Sequence, residues 1–312
     1  MEKKIDISVV IPCYGSEKTI NKVVDCCVET LKQRDNSFEI ILVNDCSKDN
    51  VWQKIIDLSN KYTNIIGINL AKNFGQHAAL MAGYKESKGD VVVALDDDGQ
   101  TNPRDMWKLI DKINEGYDVA IAKYPVLKES LFRRIGSKVN KKMTELLADK
   151  PKNIRGSSYK AIKRYVVDEI IKYDKPYPYV AGLVYRTTKN ITEVEIEHHD
   201  RIEGKSGYSL SKLFNLIMNG FTAFSIKPLR IATYLGFAVA IFGFIYGIII
   251  IVKKIIDSSI AVGYSSIMAT LLFVGGIIMI LLGMIGEYVG RIYISINNSP
   301  QYVIKEKIGV RK

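Results

Sequence analysis

Apolar and polar positions along the first 123 residues alternate between two periods. Ile5-Asp6-Ile7-Ser8-Val9-Val10-Ile11 reads as a short strand stopped by Pro12. From Glu17 to Leu31, Ile20, Val23, Val24, Cys27 and Leu31 recur at helical spacing. A second strand is expected over Phe38–Val43, a helix over Val51–Tyr62, a third strand over Ile65–Leu70, and a helix over Gln76–Lys88 closed by Gly89. Val91-Val92-Val93-Ala94-Leu95 is apolar throughout, the signature of a strand buried on both faces. Pro103 opens another helix, and Asp118–Ala122 reads as a fifth strand. Strands and helices in turn predict an α/β fold with a mainly parallel sheet, and such sheets bind ligands beyond the carboxyl ends of their strands.

After Lys123 the pattern loosens. A basic amphipathic helix is expected from about Leu131 to Leu147, a polar segment over Ile154–Lys160, and a helix near Ile162–Lys172, broken by Pro176 and Pro178. Glu193-Val194-Glu195-Ile196-Glu197 alternates as an edge strand. Leu210, Leu213, Phe214, Ile217, Met218 and Phe221 recur at helical spacing and suit a helix lying in a membrane surface.

The last third changes character. Neither Ile231–Val252 nor Ser258–Gly286 contains a charged residue, and an apolar helix of about 20 residues crosses a bilayer. The organisation expected is a cytosolic domain over 1–208, an interfacial helix over 209–227, two transmembrane helices within 228–296 (about 231–252 and 264–288), and a basic cytosolic tail over 297–312. No export signal is expected, because the apolar stretch after Met1-Glu2-Lys3-Lys4 is short. Lys212, Lys227 and Arg230 before the first span, with Arg291, Lys305, Lys307, Arg311 and Lys312 after the second, place both termini in the cytosol; Lys253 and Lys254 in the intervening loop oppose this. Gly243-x-x-x-Gly247 would let helices pack closely within a chain or between copies, leaving a homo-oligomer open.

The net charge of +11 calls for an anionic partner. No nucleic-acid motif is present, so membrane phosphate and a phosphorylated substrate are the simpler explanations. Cys13, Cys26, Cys27 and Cys46 lack C-x-x-C spacing and read as small hydrophobes rather than disulfides or metal ligands.

Candidate chemistry centres on Leu95-Asp96-Asp97-Asp98-Gly99-Gln100, at the carboxyl end of the apolar strand. Adjacent carboxylates repel unless a cation or donors compensate them. D-x-D spacing aims Asp96 and Asp98 the same way, which suits a hard divalent ion bridging to phosphates; the bland alternative is a solvated acidic turn.

Around this segment the chain resembles the family 2 glycosyltransferases of GT-A fold, and within them the polyprenyl-phosphate glycosyltransferases of the dolichol-phosphate mannose synthase and undecaprenyl-phosphate sugar transferase type. Val9-Val10-Ile11-Pro12-Cys13-Tyr14 matches the family's opening strand and turn, and Val43-Asn44-Asp45-Cys46-Ser47-Lys48-Asp49 is similar to its V-D-D-G-S-x-D segment. Lys72-Asn73-Phe74-Gly75-Gln76-His77-Ala78-Ala79-Leu80 matches R-N-F-G-x-x-A-A-L, and Gly286-Glu287-Tyr288-Val289-Gly290-Arg291-Ile292-Tyr293 matches a further family stretch.

The resemblance implies inverting transfer of a sugar from a nucleotide-sugar, expected to be a UDP-sugar, to a polyprenyl phosphate such as undecaprenyl phosphate, for cell-envelope glycan assembly. It implies Mg2+ or Mn2+ on Asp96, Asp98 and Gln100, and donor binding by Pro12, Tyr14, Glu17, Asp45, Lys72 and Asp97. Acceptor-phosphate binding falls to Arg133, Ser137 and Lys138 and to Arg201, Lys205 and Ser206 of an R-x-x-G-x-S-like loop. His198 and His199 are expected to be structural. The family's acidic D-x-G-D-F-R-like segment is replaced by Arg155-Gly156-Ser157-Ser158-Tyr159-Lys160, which puts a general base borrowed from that position in doubt. Two alternatives remain open: a non-catalytic nucleotide-sugar-binding membrane protein, and a processive polysaccharide synthase. Against the second, the family resemblance implies a Q-x-x-R-W motif, and the tryptophans here, Trp52 and Trp107, both precede the acceptor region.

Overall fold

The computed structural model describes residues 4–124, 151, 154, 156–196, 227–256, 263–297 and 299–309. Within them the chain forms a sheet-based unit, to which the segment after residue 298 returns, and a separate unit of two long helices.

The opening alternation folds as expected. Strand β1 (Ile7–Cys13), helix α1 (Ile20–Leu31), β2 (Phe38–Asn44), α2 (Val51–Lys61), β3 (Ile65–Leu70), α3 (Gln76–Glu86) and β4 (Val91–Ala94) follow one another. A 3-10 turn over Pro103–Asp105 leads into α4 (Met106–Asn114), followed by β5 (Val119–Lys123). β1 pairs in parallel with both β2 and β4, and β2 with β3. Because successive strand residues face opposite sides, Val9, Ile11, Ile40 and Leu42 enter one core with α1, α2 and α4, which contribute Cys27, Leu31, Ile55 and Ile110. Val10, Ile41 and Val43 enter a second core with Leu80 and Tyr84 of α3. Each fully buried Ile, Leu or Val contributes roughly 1.5–3 kcal/mol. The strands read as unbroken apolar runs because both faces are covered.

The second half departs from the expected pattern. The helix expected near Ile162–Lys172 is a strand followed by a shorter helix: β6 (Lys160–Lys163), then α5 (Arg164–Ile170). β6 inserts antiparallel between β4 and β5, so Ala161 and Ile162 are buried from both sides. Helix α6 (Val180–Thr187) covers the second core with α5. Strand β7 (Ile191–Glu195) pairs in parallel with β5 at one edge, two residues earlier than the edge strand expected over Glu193–Glu197. Strand β8 (Ile304–Ile308) pairs antiparallel with β3 and forms the opposite edge. Part of the segment expected as a basic tail over 297–312 is thus a strand of the sheet. The reason is that β3 would otherwise present an open row of backbone donors and acceptors. The sheet order is β7-β5-β6-β4-β1-β2-β3-β8.

The other unit consists of α7 (Lys227–Ile256) and α8 (Tyr264–Ile296). Large apolar residues that would be buried in the sheet unit are exposed here, with Phe242 75% and Met279 71% accessible. Phe273–Gly290, of mean hydropathy 1.9, is long and apolar enough to cross a membrane; the apolar stretch in α7, Gly236–Tyr246, is shorter. The helix expected over 131–147, the interfacial helix expected over 209–227 up to residue 226, and His198 and His199 lie outside the described residues.

Candidate active site

Strands β1, β2 and β4 run in parallel and end side by side, so the polar residues that follow them converge. At the end of β2, Asp45 is buried. Its N–H donates to the Cys13 carbonyl at 3.1 Å, tying it to the end of β1. Its carboxylate accepts the backbone N–H of Phe74 at 2.7 Å and of Gly75 at 2.8 Å, and Asn73 Nδ2 donates to the Asp45 carbonyl at 3.2 Å. Gly75 sits at φ 91°, a conformation costly for residues with a Cβ, and this turn is what aims two successive amides at one carboxylate. Burial pushes the Asp45 carboxyl upward, and the Phe74 and Gly75 amides oppose that shift.

At the end of β4 the three aspartates have separate tasks. Asp96 Oδ1 accepts Gln76 Nε2 at 2.9 Å, and Asp96 Oδ2 accepts a short hydrogen bond from Ser158 Oγ. Burial raises the Asp96 carboxyl and the Asp98 charge adds to the rise, while Ser158, Lys160 and Gln76 act in the other direction. Asp97 turns back toward β1: its Oδ2 accepts the Tyr14 N–H at 2.9 Å, and its carbonyl accepts Thr19 Oγ1 at 2.7 Å. Burial pushes its carboxyl up to about 6. Asp98 Oδ1 accepts the Gln100 N–H at 3.0 Å across the turn at Gly99.

Lys160, the first residue of β6, is buried behind this cluster. Burial lowers its ammonium to about 8 and Asp96 works against that shift, so each charge compensates the other's loss of hydration. His77, beside Gln76, is lowered to about 4, first by burial and then by Lys160. Its ring meets Tyr179 edge-on at 5.3 Å.

A cavity of about 500 Å³ opens at these strand ends, lined by Pro12, Tyr14, Asp45, Asp96, Asp97, Asp98 and Gln100 among the expected residues, and by Asn73, Gly75, Gln76 and Ser158 in addition. Glu17 faces a neighbouring cavity of about 350 Å³ with Asp49 and Thr19. Its carboxylate accepts Asn50 N and Nδ2 at 3.2 and 3.3 Å. Lys72 is exposed, its Nζ 5.0 Å from the Phe74 ring centre, and does not line the larger cavity. Arg133, Ser137, Lys138, Arg201, Lys205 and Ser206 lie outside the described residues. Among the described residues, no group of three or more His, Cys, Asp or Glu side chains converges as a metal site.

Gln76 and Ser158 carry no motif signal of their own. Gln76 falls on a variable position of the R-N-F-G-x-x-A-A-L match, and Ser158 stands out as a departure from the family's acidic segment. Both become legible only once α3 and the approach to β6 are seen beside β4.

The fold is a mainly parallel α/β sheet with a polar cavity at its strand ends, and sequence comparison gives its family. Residues 8–171 match the family described as glycosyl transferase family 2, and residues 227–292 match the GtrB C-terminal hairpin. The chain belongs to glycosyl transferase family 2 and is a glycosyltransferase. It is 32% identical, over 100% of its length and 96% of the relative's, to an undecaprenyl-phosphate 4-deoxy-4-formamido-L-arabinose transferase of Proteus mirabilis. It is 31% identical, over 99% of its length and 96% of the other chain, to the uncharacterized glycosyltransferase YkcC of Bacillus subtilis. Among solved structures, glucosyl-3-phosphoglycerate synthase from Mycobacterium tuberculosis, crystallised with Mn2+, UDP and phosphoglyceric acid, superposes with a TM-score of 0.51. That match has 19% identity over 69% of this chain and 75% of the other, and establishes the shared GT-A fold.

Proposed function

We propose that this enzyme transfers a sugar from a UDP-sugar to undecaprenyl phosphate, with inversion at the anomeric carbon, from a catalytic domain on the cytosolic side of a membrane crossed by α7 and α8. The observation that carries the reading is the meeting of Asp45, Asp96, Asp98 and Gln100 on one cavity at the carboxyl ends of β1, β2 and β4. Full-length similarity to proteins named as undecaprenyl-phosphate sugar transferases supports the acceptor.

In this reading Tyr14 and the Asp45 turn receive the nucleoside, and Lys72 is drawn toward the diphosphate when donor binds. Asp96, held by Gln76 and Ser158, orients the sugar, and Asp97 locks the end of β1 to the end of β4. Asp96, Asp98 and Gln100 offer hard oxygen donors to Mg2+ or Mn2+. Such an ion takes one or two protein carboxylates and fills its shell with phosphate and water, so two aspartates and Gln100 without a third carboxylate fit. When bound, it supplies Lewis-acid stabilisation of the departing diphosphate.

A lipid phosphate is already anionic near neutral pH and attacks without a strong base, which accommodates Ser157 and Ser158 in place of the family's acid. What the attack requires is placement beside the anomeric carbon. Arg133, Ser137, Lys138, Arg201, Lys205 and Ser206 would grip the phosphate, guanidinium groups doing so bidentately. Exposed apolar surface on α7 and α8 supports the membrane assignment.

The test is to incubate membranes containing the protein with undecaprenyl phosphate and a panel of nucleotide sugars, with Mg2+, Mn2+ or EDTA, and to detect glycosylated lipid phosphate by mass spectrometry. A metal-dependent product that is lost in Asp98→Ala is expected. Nucleotide binding without product from any donor would instead favour a non-catalytic binding protein.

A further inference from the structure

The segment after α8 does more than close a sheet edge. Gln301 Nε2 donates to the carbonyls of Tyr173 and Lys175, each at 3.0 Å. Tyr302 packs against the second core, as does Phe74. The Val303 carbonyl accepts the N–H of Ala71 at 2.8 Å. Along β8, Lys307 Nζ reaches Glu86 Oε1 at 2.6 Å. The fit is close: a Cβ on Gly67 would stand 2.7 Å from Ile308 Cγ1. At Gly309, with φ 68°, a Cβ would stand 2.1 Å from the Ile65 carbonyl oxygen.

These contacts bracket one stretch of chain. Ala71 immediately precedes Lys72-Asn73-Phe74-Gly75, whose amides hold Asp45. Glu86 is the last residue of α3, whose first residue, Gln76, holds Asp96. The loop and helix that supply donors to both carboxylates are thus fastened at their beginning and their end by residues 303 and 307.

We propose that residues 301–309 form a strap that positions the donor site, setting the Lys72–Gly75 loop and α3 so that Asp45 and Asp96 are held at once. The strap lies on the outer side of β3 and touches neither carboxylate, so it acts through the loop. This rests on the reading of the cavity as the donor site. It makes donor binding depend on a segment synthesised after the helical hairpin.

The experiment compares the full chain with one that stops at Asn297, both in lipid nanodiscs. Binding of UDP and of GDP is measured by calorimetry, and KM is determined separately for donor and acceptor. Displacing the loop by about an ångström is expected to weaken nucleotide binding and raise donor KM by at least tenfold, leaving acceptor KM within about twofold. A synthetic peptide of residues 298–312 is expected to restore donor KM.

A merely structural contribution would lower the folded fraction, and hence apparent kcat, without moving donor KM; that outcome overturns the strap. Should the shortened chain not fold, the full chain carrying Gln301→Ala and Lys307→Ala decides by the same split. An unchanged donor KM there is equally fatal. Nucleotide binding by the full chain that is matched by the shortened one removes the strap alone. Failure of the full chain to bind either nucleotide removes the donor reading and the strap together.

Discussion

At the end of β2, Asp45 is buried and both its oxygens accept rigid backbone amides. At the end of β4, Asp96, Asp97 and Asp98 stand half-buried in a row: Asp96 is held by the Gln76 and Ser158 side chains and the charge of Lys160, and Asp97 and Asp98 each accept one backbone amide, from Tyr14 and Gln100. Burial raises the Asp45 carboxyl in the first region and the Asp96 and Asp97 carboxyls in the second, but only the β4 exit adds like-charge repulsion. A carboxylate fixed by two amides is a piece of architecture with a face toward the cavity. A row of carboxylates pressed together has unsatisfied demand for positive charge, which ligand binding can meet. Removing the first should loosen the donor pocket; removing the second should remove chemistry.

The largest effect that would sharpen this contrast is expected for Asp98→Ala. Loss of a group that stabilises developing charge costs about 10²–10³ in kcat, read as lipid-linked product per unit time, with the protein's thermal midpoint nearly unchanged. A midpoint that falls steeply while kcat holds would reverse the roles given to the two regions. Ser158→Ala comes next. It removes a hydrogen bond to a charged group, worth roughly 1.5–3 kcal/mol, and should lower kcat about 10- to 100-fold, while Ser158→Thr restores most of it.

Asp45→Asn should act in the other sense. Asn puts an NH2 donor where one carboxylate oxygen accepted, so one of the part-buried Phe74 and Gly75 N–H groups faces a donor, at a cost of about 1–3 kcal/mol. Its signature is a lower thermal midpoint and a raised donor KM with kcat changed little; a kcat loss as deep as that of Asp98→Ala would erase the contrast.

The smallest effect is one of pH. His77 has its folded value lowered to about 4 from an ordinary 6.5, chiefly by burial. The native state therefore holds fewer protons than the unfolded chain between these values. The neutral ring's contribution is complete above pH 6.5 and is lost as pH falls toward 4. Thermal unfolding followed over that range should show a decline of roughly 1–3 kcal/mol in excess of that shown by His77→Gln.

How far all this could be read from sequence depended on whether the signal was local. β1 to β4 were legible because strands covered on both faces are mostly apolar, and β1, β2 and β4 run into Pro, Asn or Asp. The aspartates after β4 were legible for the same reason: a buried strand ending in three carboxylates is a local pattern. β6 was not. Ile162, Val166, Val167 and Ile170 recur at helical spacing, and that period absorbed the four-residue strand preceding α5. β8 was hidden because Lys305, Glu306 and Lys307 read as a charged tail, and a register irregularity puts Ile304 and Ile308 opposite Leu70 and Gly67, so they follow no simple alternation. Gln76 and Ser158 reach Asp96 from 20 and 62 positions away, and no spacing rule anticipates such a meeting.

The pairing of β8 with β3 also has a consequence in time. A ribosome delivers β3 roughly 230 residues before β8, a delay on the order of tens of seconds at about 5–20 residues per second. Throughout that interval the nascent sheet carries β3, with its Ile66, Ile68 and Leu70, as an unprotected edge. An edge of that kind recruits other strands. The newborn chain therefore passes through its most aggregation-prone stage while the helical hairpin is being made, and leaves it only when the final strand emerges.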